Sequence, residues 1–582
     1  MNPVSRRRFL ATSGAAAAAL AFGGTAGATG LDRALRETRR RAIAPAGTTL
    51  ETVAAQQGSS GYRKLTAGPG WPLVTRTELS TGATGRDDRR RALASFVQFT
   101  DIHIVDAQSP MRFEYLHPFT GSAHRPHETL TAQGGMSLVR RVNSLTTGPF
   151  TGRAPDFVVC TGDNTDNHER IELDWYLTML SGGTIVPNTG NAGEYEGVQN
   201  SGATLYWNPG NSMKDMYKDK GFPYLPHLLS TAIQQFDSPG LRIPWYAVFG
   251  NHDDSVSGTL PPGLPFVDAI YTGTLKLEGL SSSSEAEKLA GAMRDDPRAA
   301  ADALPHLDGP VRVVAADERR KPFTPKEFVS AHLAEGVTGK GPFGHGFSER
   351  NVEENSGYYT FPIAEGVVGI SMDSTCRAGF VDGAIGTAQF EWIERVLTKG
   401  SSRYYDSEGK LVKQDASDTY FLLFSHHTSD TMDNGVPDPE RLFEKRHTGA
   451  ELVALLHRFP NVLAWVNGHT HRNEISPRPG DRPEQGFWEI NTASHVDYPH
   501  HARIIELADN GDGTLSLFTT LIEAESPYET NYADTSPRGL ASLYRELAYN
   551  DIHRDQDFLG AAKDHNTELL LTDPLGARQS GR

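Results

Sequence analysis

The chain has 582 residues, with 56 Lys and Arg against 72 Asp and Glu, and therefore a formal net charge of −16. An acidic chain is repelled by nucleic acid, which argues against a general role in coating DNA. The length is sufficient for a large core and several domains. Two cysteines exclude a disulfide framework and a cysteine-based zinc module.

The first 28 residues contain the parts of an export signal in their usual order. Residues 5–10 read Ser-Arg-Arg-Arg-Phe-Leu, an apolar run covers 11–22, and Ala26-Gly27-Ala28 offers a cleavage site. Residues 5–10 resemble the twin-arginine motif, which implies the twin-arginine translocase as a partner during export. We therefore expect a protein that is extracellular, cell-wall associated or periplasmic. No later stretch reaches about 18 apolar residues, so no transmembrane segment is expected in the mature chain.

Short apolar segments, each followed by polar residues, predict strands that are buried on both faces. These segments are 95–100, 156–161, 243–249, 366–372, 420–425 and 462–466. Helices are predicted between them over Thr387–Leu397, with Thr387 as the N-cap, and over Glu451–Phe459. The alternation predicts an α/β layered fold with ligands at the C-terminal ends of the strands. Three later segments, 486–492, 502–507 and 514–522, are expected to form a second sheet.

The chain divides by composition into several parts. The predicted division is a signal peptide 1–28, an N-terminal extension 29–94, a catalytic domain 95–525 and a polar C-terminal tail 526–582 with one helix near 540–547. Two insertions, 181–240 and 254–355, interrupt the catalytic domain. Because loops of this length are usually functional or have structure of their own, both insertions are expected to roof the site.

Five short motifs with potential metal ligands occur in chain order. They are Asp101-Ile-His103, Gly162-Asp163-Asn164-Thr165-Asp166, Gly250-Asn251-His252-Asp253, His426, and Gly468-His469-Thr470-His471. A spacing of two at a strand end places Asp101 and His103 on one face, where both can reach one ion. Nitrogen and oxygen ligands of this kind suit Mn, Fe, Zn or Co. Two divalent ions and two carboxylates leave a charge of about +2, which attracts an anionic substrate such as a phosphate ester.

The ordered motifs resemble the calcineurin-like metallophosphoesterase superfamily over about residues 95–507. The resemblance implies a layered fold of two mixed β-sheets flanked by helices, with two divalent transition-metal ions. It implies a first metal bound by Asp101, His103, Asp163 and His471, and a second bound by Asp163, Asn251, His426 and His469. In that family, His252 would assist the leaving oxygen, and Asp253 would orient His252.

The same resemblance implies hydrolysis of phosphate mono- or diesters by in-line attack of a metal-bridging hydroxide. Nucleotides, phospholipid headgroups and wall polymers all remain open as substrates. The long insertions and the export signal resemble exported actinobacterial members. The alternative is a metal-stabilised binding protein of the same fold that has lost catalysis, although the complete ligand set favours the enzyme.

One related family is excluded by two positions. Purple acid phosphatases carry a tyrosine three residues after the bridging aspartate and D-x-G in the first motif. Here those positions are Asp166 and His103. No ferric-phenolate colour is therefore expected.

Several residues outside the proposed ligand set have alternative interpretations. His426 is favoured over His427 because the residue directly after a strand faces the site. Asp106 is expected in a solvated loop, Arg112 is either a phosphate clamp or a loop residue, and His345 is expected at the surface. The histidines 495, 500 and 501 either support the site or belong to a sheet. A disulfide between Cys160 and Cys376 stays open, because the sequence does not give the distance between them. The aromatic residues Tyr195, Tyr206, Trp207 and Tyr217 are expected in the core of the first insertion.

Overall fold

The computed structural model describes residues 45–264 and 266–576, so the predicted signal peptide 1–28 lies outside the described residues. In chain order, the strands of the described part are β1 (Thr52–Gln56), β2 (Leu65–Pro69), β3 (Val74–Arg76), β4 (Arg91–Phe99), β5 (Val158–Thr161), β6 (Gly183–Ile185), β7 (Phe236–Ser238), β8 (Trp245–Val248), β9 (Leu275–Leu277), β10 (Val311–Val313), β11 (Tyr359–Ala364), β12 (Val367–Ser371), β13 (Ile385–Gly386), β14 (Arg403–Tyr405), β15 (Leu411–Lys413), β16 (Tyr420–Phe424), β17 (Arg446–His447), β18 (Val462–Asn467), β19 (Glu474–Arg478), β20 (Phe487–Asn491), β21 (His501–Asp509), β22 (Thr514–Glu523) and β23 (Thr567–Thr572).

The α-helices of the same residues are, in chain order, α1 (Thr131–Ser144), α2 (Arg170–Ser181), α3 (Leu228–Ala232), α4 (Val267–Tyr271), α5 (Ser283–Asp295), α6 (Pro297–Ala303), α7 (Pro325–His332), α8 (Glu349–Glu354), α9 (Thr387–Lys399), α10 (Gly449–Leu456) and α11 (Pro537–Tyr549). Helix α9 begins at Thr387, but its N-cap is Gly386 and not Thr387. The Thr387 hydroxyl instead donates to the Lys445 carbonyl oxygen at 3.2 Å, which corrects the predicted cap. None of the helices in the described ranges is long and apolar enough to cross a membrane.

Two large mixed sheets form the centre of the fold. The seven-stranded sheet has the order β3-β23-β22-β21-β4-β5-β8, and β4, β5 and β8 run parallel. The six-stranded sheet has the order β11-β12-β16-β18-β20-β19, in which β12, β16, β18 and β20 run parallel. Its two edge strands, β11 and β19, are antiparallel to their neighbours. The predicted α/β fold of two mixed sheets flanked by helices is therefore confirmed.

The assignment of strands to sheets differs from the prediction. Strand β20 pairs with β18 in the six-stranded sheet, whereas β21 and β22 extend the seven-stranded sheet from β4. The three late strands therefore do not form a sheet of their own. The reason is that β21 returns antiparallel to β4, a pairing over about 400 residues of chain that local alternation does not encode.

The core lies between and around the two sheets. The rings of Phe96 on β4 and Phe424 on β16 contact across the interface, with centroids 5.7 Å apart. Outside the six-stranded sheet, Ile393 of α9 and Leu452 of α10 pack in one cluster with Trp465 of β18. The near-continuous apolar strands follow from this arrangement, because each is covered on both faces.

Both terminal segments contribute to the seven-stranded sheet. Residues 74–76 form β3, and residues 567–572 form β23, which pairs with β22 on one side and with β3 on the other. The segment 526–582 therefore contains an interior strand besides the predicted helix, which is α11. The division at 29–94, 95–525 and 526–582 stays a prediction, but strands from all three parts share one sheet.

Candidate metal centre

The predicted ligands converge at the C-terminal ends of five strands. Each ligand-bearing loop directly follows β4, β5, β8, β16 or β18. His471 Nε2 lies 3.3 Å from Asp101 Oδ1, and His103 Nε2 lies 3.5 Å from Asp163 Oδ2. His426 Nε2 lies 3.2 Å from the same Asp163 oxygen. The carboxylate of Asp163 thus lies between ligands of both proposed metals, as a bridging ligand requires.

The backbone at the ligands is unusual. Five of the predicted ligands have positive φ angles in the left-handed region: Asp101 (48°), His103 (45°), Asp163 (50°), His469 (72°) and His471 (56°). Non-glycine residues rarely adopt this conformation, and it concentrates at functional sites. Asp101 and His103 therefore approach each other through tight turns after Phe99, and not through strand periodicity as the sequence predicted.

Two of the motifs need a glycine because a neighbouring side chain lies too close to leave room for a Cβ atom. A Cβ atom at Gly468 would collide with Asp101 Oδ2 and Thr100 Oγ1. A Cβ atom at Gly250 would collide with Asp163 Oδ1. In both motifs the absent side chain makes room for a neighbouring ligand carboxylate.

Two buried polar atoms point to a missing partner. Among the described residues, neither His103 Nε2 nor Asn251 Oδ1 has a hydrogen-bond partner. The Asn251 amide nitrogen donates to the Gly258 carbonyl oxygen at 3.0 Å, which directs the amide oxygen elsewhere. Buried polar atoms normally have partners, so these two fit the ligand positions of divalent cations. His471 completes one cluster of possible ligands with Asp101 and His103, and His426 completes another with Asp101 and Asp163.

Hydrogen bonds to Nδ1 fix the tautomers of three histidines. His103 Nδ1 donates to Asp166 Oδ1 at 2.9 Å, and His471 Nδ1 donates to Asp497 Oδ2 at 2.6 Å. His426 Nδ1 donates to the Thr161 carbonyl oxygen at 2.9 Å. Each ring therefore presents Nε2 to the centre, the arrangement that metal-bound imidazoles adopt. His469 instead presents Nδ1, which lies 3.1 Å from His426 Nε2.

Asp166 and Asp497 are site residues to which sequence reasoning gave no role. Asp166 belongs to the second motif, so its position three residues after Asp163 was the available signal. Asp497 lies 26 residues after His471 and carries no comparable signal. Two arginines neutralise these carboxylates: Arg112 Nη1 donates to Asp166 at 2.5 Å, and Arg125 Nε donates to Asp497 at 2.7 Å.

The sequence left Arg112 as either a phosphate clamp or a loop residue, and the structure places it in a buried ion-pair network. Besides Asp166 it binds Glu128 at 2.8 Å, so its guanidinium supports the ligand shell. Asp106, expected in a solvated loop, is also buried and pairs with Arg320 at 3.0 Å. Both positions therefore belong to the packed interior.

The predicted partner of His252 is corrected. The carboxylate of Asp253 does not contact the His252 ring; it accepts hydrogen bonds from the backbone amides of Asn164, Thr165 and Gly250. It thus ties the loop that carries Asp163 to the loop that carries Asn251. The His252 ring is held instead by the Asp166 carbonyl oxygen, 2.8 Å from Nδ1.

Electrostatics favour a cation in the centre. Burial disfavours charge on His426 and His471, but the nearby carboxylates outweigh it. Asp163 raises the pKa of His426 to about 9, and Asp101 together with Asp497 raises the pKa of His471 to about 10. Burial opposes charge on Asp163 as well, yet the surrounding histidines hold its pKa well below the usual range. The carboxylates thus stabilise positive charge on His426 and His471, whereas burial lowers the pKa of His103 and of His469.

The remaining candidates lie outside the ligand set. His427 groups with His426 and His469 as a possible ligand, but both of its ring nitrogens are engaged, by Ser374 at 2.8 Å and by the Val381 carbonyl oxygen at 2.9 Å, which favours His426. His345, expected at the surface, is buried and stacked on Trp245. The other weighed residues are all buried: the histidines 495, 500 and 501, Tyr195, Tyr206, Trp207 and Tyr217, and Cys160 and Cys376, which are free thiols.

The second insertion borders the centre, and the first does not. A cavity next to His252 is lined by Ser257, Thr259, Ala290 and Met293 of the insertion 254–355. Of the described residues of the insertion 181–240, none lines this cavity or the one next to His471. The first insertion packs against α11 instead, through Trp207, Tyr217 and Phe222. Residues of the second insertion therefore border the site, and the expected roof stays a prediction.

No family model matches the chain, and no curated protein matches its sequence. Among solved structures, the chain is similar to a dimetal phosphatase from Danio rerio, with 10% identity, a TM-score of 0.32, and coverage of 75% of this chain and 100% of that one. It is also similar to purple acid phosphatase PPD1 from seeds of yellow lupin (Lupinus luteus), with 10% identity, a TM-score of 0.28, and coverage of 78% of this chain and 54% of that one. Both are remote likenesses, and the chemistry of the centre rests on its own residues.

Proposed function

We propose that this chain is an exported phosphoric ester hydrolase of the calcineurin-like metallophosphoesterase type, with two divalent transition-metal ions. The supporting observation is the convergence of seven ligands, with His103 Nε2 and Asn251 Oδ1 buried and unpartnered within the described ranges. Asp101, His103, Asp163 and His471 would hold one ion. Asp163, Asn251, His426 and His469 would hold the other.

The chemistry divides between the ions and the protein. Two bound ions would supply positive charge to phosphate oxygens and would acidify water. Asp166 and Asp497 keep the His103 and His471 rings in the tautomer that binds metal. The His252 ring is partly exposed, with 23% of its side-chain surface accessible, and it reaches the neighbouring cavity. We assign it the transfer of a proton to the leaving oxygen.

The competing function is a metal-stabilised binding protein without catalysis. Nothing in the predicted ligand set is missing, and His252 lines a cavity that an ester could enter. Both features favour the enzyme.

The test compares hydrolysis of p-nitrophenyl phosphate and bis-p-nitrophenyl phosphate by Mn²⁺-loaded protein and by its Asp163→Ala variant. The proposal requires turnover of at least one ester by the wild type, loss of that turnover in the variant, and loss on chelation. Retained metal without turnover of either ester would support the binding protein.

Export is proposed from the sequence of residues 5–28, in which the twin-arginine motif precedes an apolar run and a cleavage site. Replacing Arg6 and Arg7 by lysine in a cell with a twin-arginine translocase should retain the protein in the cytoplasm. Unchanged export of the double variant would contradict this route.

A further inference from the structure

Two cavities adjoin the site, and each has in its wall a histidine that contacts the His103 ring. The centroid of the His252 ring lies 4.6 Å from that of His103, and the centroid of the His471 ring lies 5.3 Å from it. One cavity, of about 300 Å³, contains His252 in its wall. The second cavity, of about 280 Å³, contains His471. A phosphate held beside these histidines would therefore border both cavities.

The first cavity, here called the apolar cavity, has a largely hydrocarbon wall. Its apolar lining residues are Phe113, Leu116, Phe119, Ala123, Ala290, Met293 and Val381. Ala290 and Met293 belong to α5 of the second insertion. Charged side chains in its wall already have partners: Arg112 binds Asp166, and Arg294 binds Asp295. A wall of this kind takes an apolar group.

The second cavity, here called the polar cavity, has a different wall. Its lining includes the carboxylates of Asp551 and Asp555 and the aromatic rings of Tyr498 and Phe558. Arg554 also lines it, but its guanidinium lies over the rings of Tyr498 and Tyr549 and is already engaged. Carboxylate oxygens accept hydrogen bonds from hydroxyl groups, and aromatic faces cover the carbon side of a polyol.

The two cavities share a rim. Thr120 and Ser122 line both of them, so the short segment between these residues lies where the two cavities meet. A monoester would fill only one cavity. A diester would place one arm on each side of this segment.

We propose that the substrate is a phosphodiester that joins an apolar alcohol to a hydroxyl-bearing alcohol, with the apolar arm in the apolar cavity and the hydroxyl-bearing arm in the polar cavity. The inference rests on the proposed phosphoesterase function and adds the substrate class and the bond that breaks. Met293 and Ala290 are the residues that would determine specificity for the apolar arm.

The position of His252 selects the leaving arm. His252 lines the apolar cavity and not the polar one. In the reaction, the oxygen of one water molecule bonds to phosphorus, and the bond between phosphorus and the apolar alcohol's oxygen breaks. One water proton ends on that oxygen through His252, and the other stays on the phosphate or passes to solvent. The products are the free apolar alcohol and the phosphomonoester of the hydroxyl-bearing alcohol.

The test uses octyl glyceryl phosphate with Mn²⁺-loaded wild-type protein, and the products are identified by mass spectrometry. Glycerol is intrinsically the better leaving group of the two alcohols, so release of octanol and glycerol phosphate would reflect the site. Release of glycerol and octyl phosphate would overturn the assignment. Hydrolysis of p-nitrophenyl phosphate without hydrolysis of any diester would overturn the inference and leave the proposed function standing. No hydrolysis of any ester would contradict both.

The apolar cavity is tested by varying the length of the substrate's alkyl chain and by substituting residues in the cavity wall. From methyl to octyl glyceryl phosphate, kcat/KM should rise at least about tenfold, since each buried methylene favours binding. The rise should be lost in Met293→Glu and in Ala290→Trp, which fills the cavity without adding charge. Ser284→Glu, an exposed position on the same helix, is the matched control and should keep it. A rate independent of chain length, or an equal effect of the control, would overturn the inference.

The polar cavity is tested by replacing glycerol. Octyl ethyl phosphate lacks the hydroxyl groups and should be hydrolysed at least about tenfold less efficiently than octyl glyceryl phosphate, as expected for losing two or three hydrogen bonds. Equal kcat/KM for the two esters would show that the polar cavity does not recognise hydroxyl groups, and it would overturn that part of the inference.

Discussion

The Nδ1 atom of His252 lies 2.8 Å from the backbone carbonyl oxygen of Asp166. A carbonyl oxygen only accepts hydrogen bonds, so Nδ1 carries the proton and Nε2 is the atom available to a substrate. The side chain of Asp166 meanwhile accepts from His103 Nδ1. One residue therefore orients both a proposed metal ligand and the proposed proton donor.

His252→Ala should lower kcat about 10²–10⁴-fold, because a positioned acid contributes about that much. The loss should be larger for an alkyl leaving group than for p-nitrophenolate, which leaves without protonation. Kinetics on a matched pair of esters measure this difference. Metal content should match the wild type, and equal losses for both leaving groups would contradict proton transfer by His252.

Asp253→Ala should act on stability and not selectively on the leaving group. The substitution leaves the buried amides of Asn164, Thr165 and Gly250 without their acceptor, at a cost of about 2–4 kcal/mol. Chemical denaturation of the metal-free protein measures this cost. A catalytic defect in a variant of unchanged stability would instead restore the orienting role that the sequence predicted.

Asp166→Asn and Asp497→Asn should each weaken metal binding about 10–100-fold, because a carboxylate behind a metal-bound histidine raises the basicity of the ring. Metal titration of the purified variants measures the effect. Asp415→Asn removes one negative charge at an exposed position and serves as the control. Affinity equal to that of the control would mean that these carboxylates serve only the fold.

Metal affinity should rise with pH between about 6.5 and 8.5. In the metal-free protein the pKa of His426 is raised to about 9 and that of His471 to about 10, so both rings keep a proton through this range. A cation must displace these protons, and each pH unit gained should tighten binding up to about tenfold for each proton displaced. Mn²⁺ titrations at several pH values test the sign. An affinity that does not change with pH would contradict it.

The elements of the fold were largely readable from the sequence because the strands are buried on both faces. The predicted segment 420–425 corresponds to β16, and 462–466 corresponds to β18. Sheet membership was not readable, since β20 and β21 are separated by nine residues yet belong to different sheets. Strand β23 was missed because its partners, β22 and β3, are set by the tertiary fold and its flanking residues are polar.

The ligands of the centre were readable for a different reason. They lie in short motifs directly after strands, so residue type and position both carry the signal. The residues that support these ligands could not be predicted. Asp497 and Arg125 form their ion pair across 372 residues of chain, and no local sequence pattern marks either residue. Asp253 had the right residue type for orienting His252, but its carboxylate is taken up by three backbone amides.

Seven side chains are proposed to hold the two metal ions that hydrolysis requires. The most direct measurement is the metal content per chain by elemental analysis, with hydrolysis of bis-p-nitrophenyl phosphate followed before chelation, after chelation and after reconstitution with Mn²⁺. We expect two ions per chain, loss of activity when they are removed and recovery of activity on reconstitution. No bound metal after reconstitution, or hydrolysis that chelation leaves unchanged, would contradict this proposal.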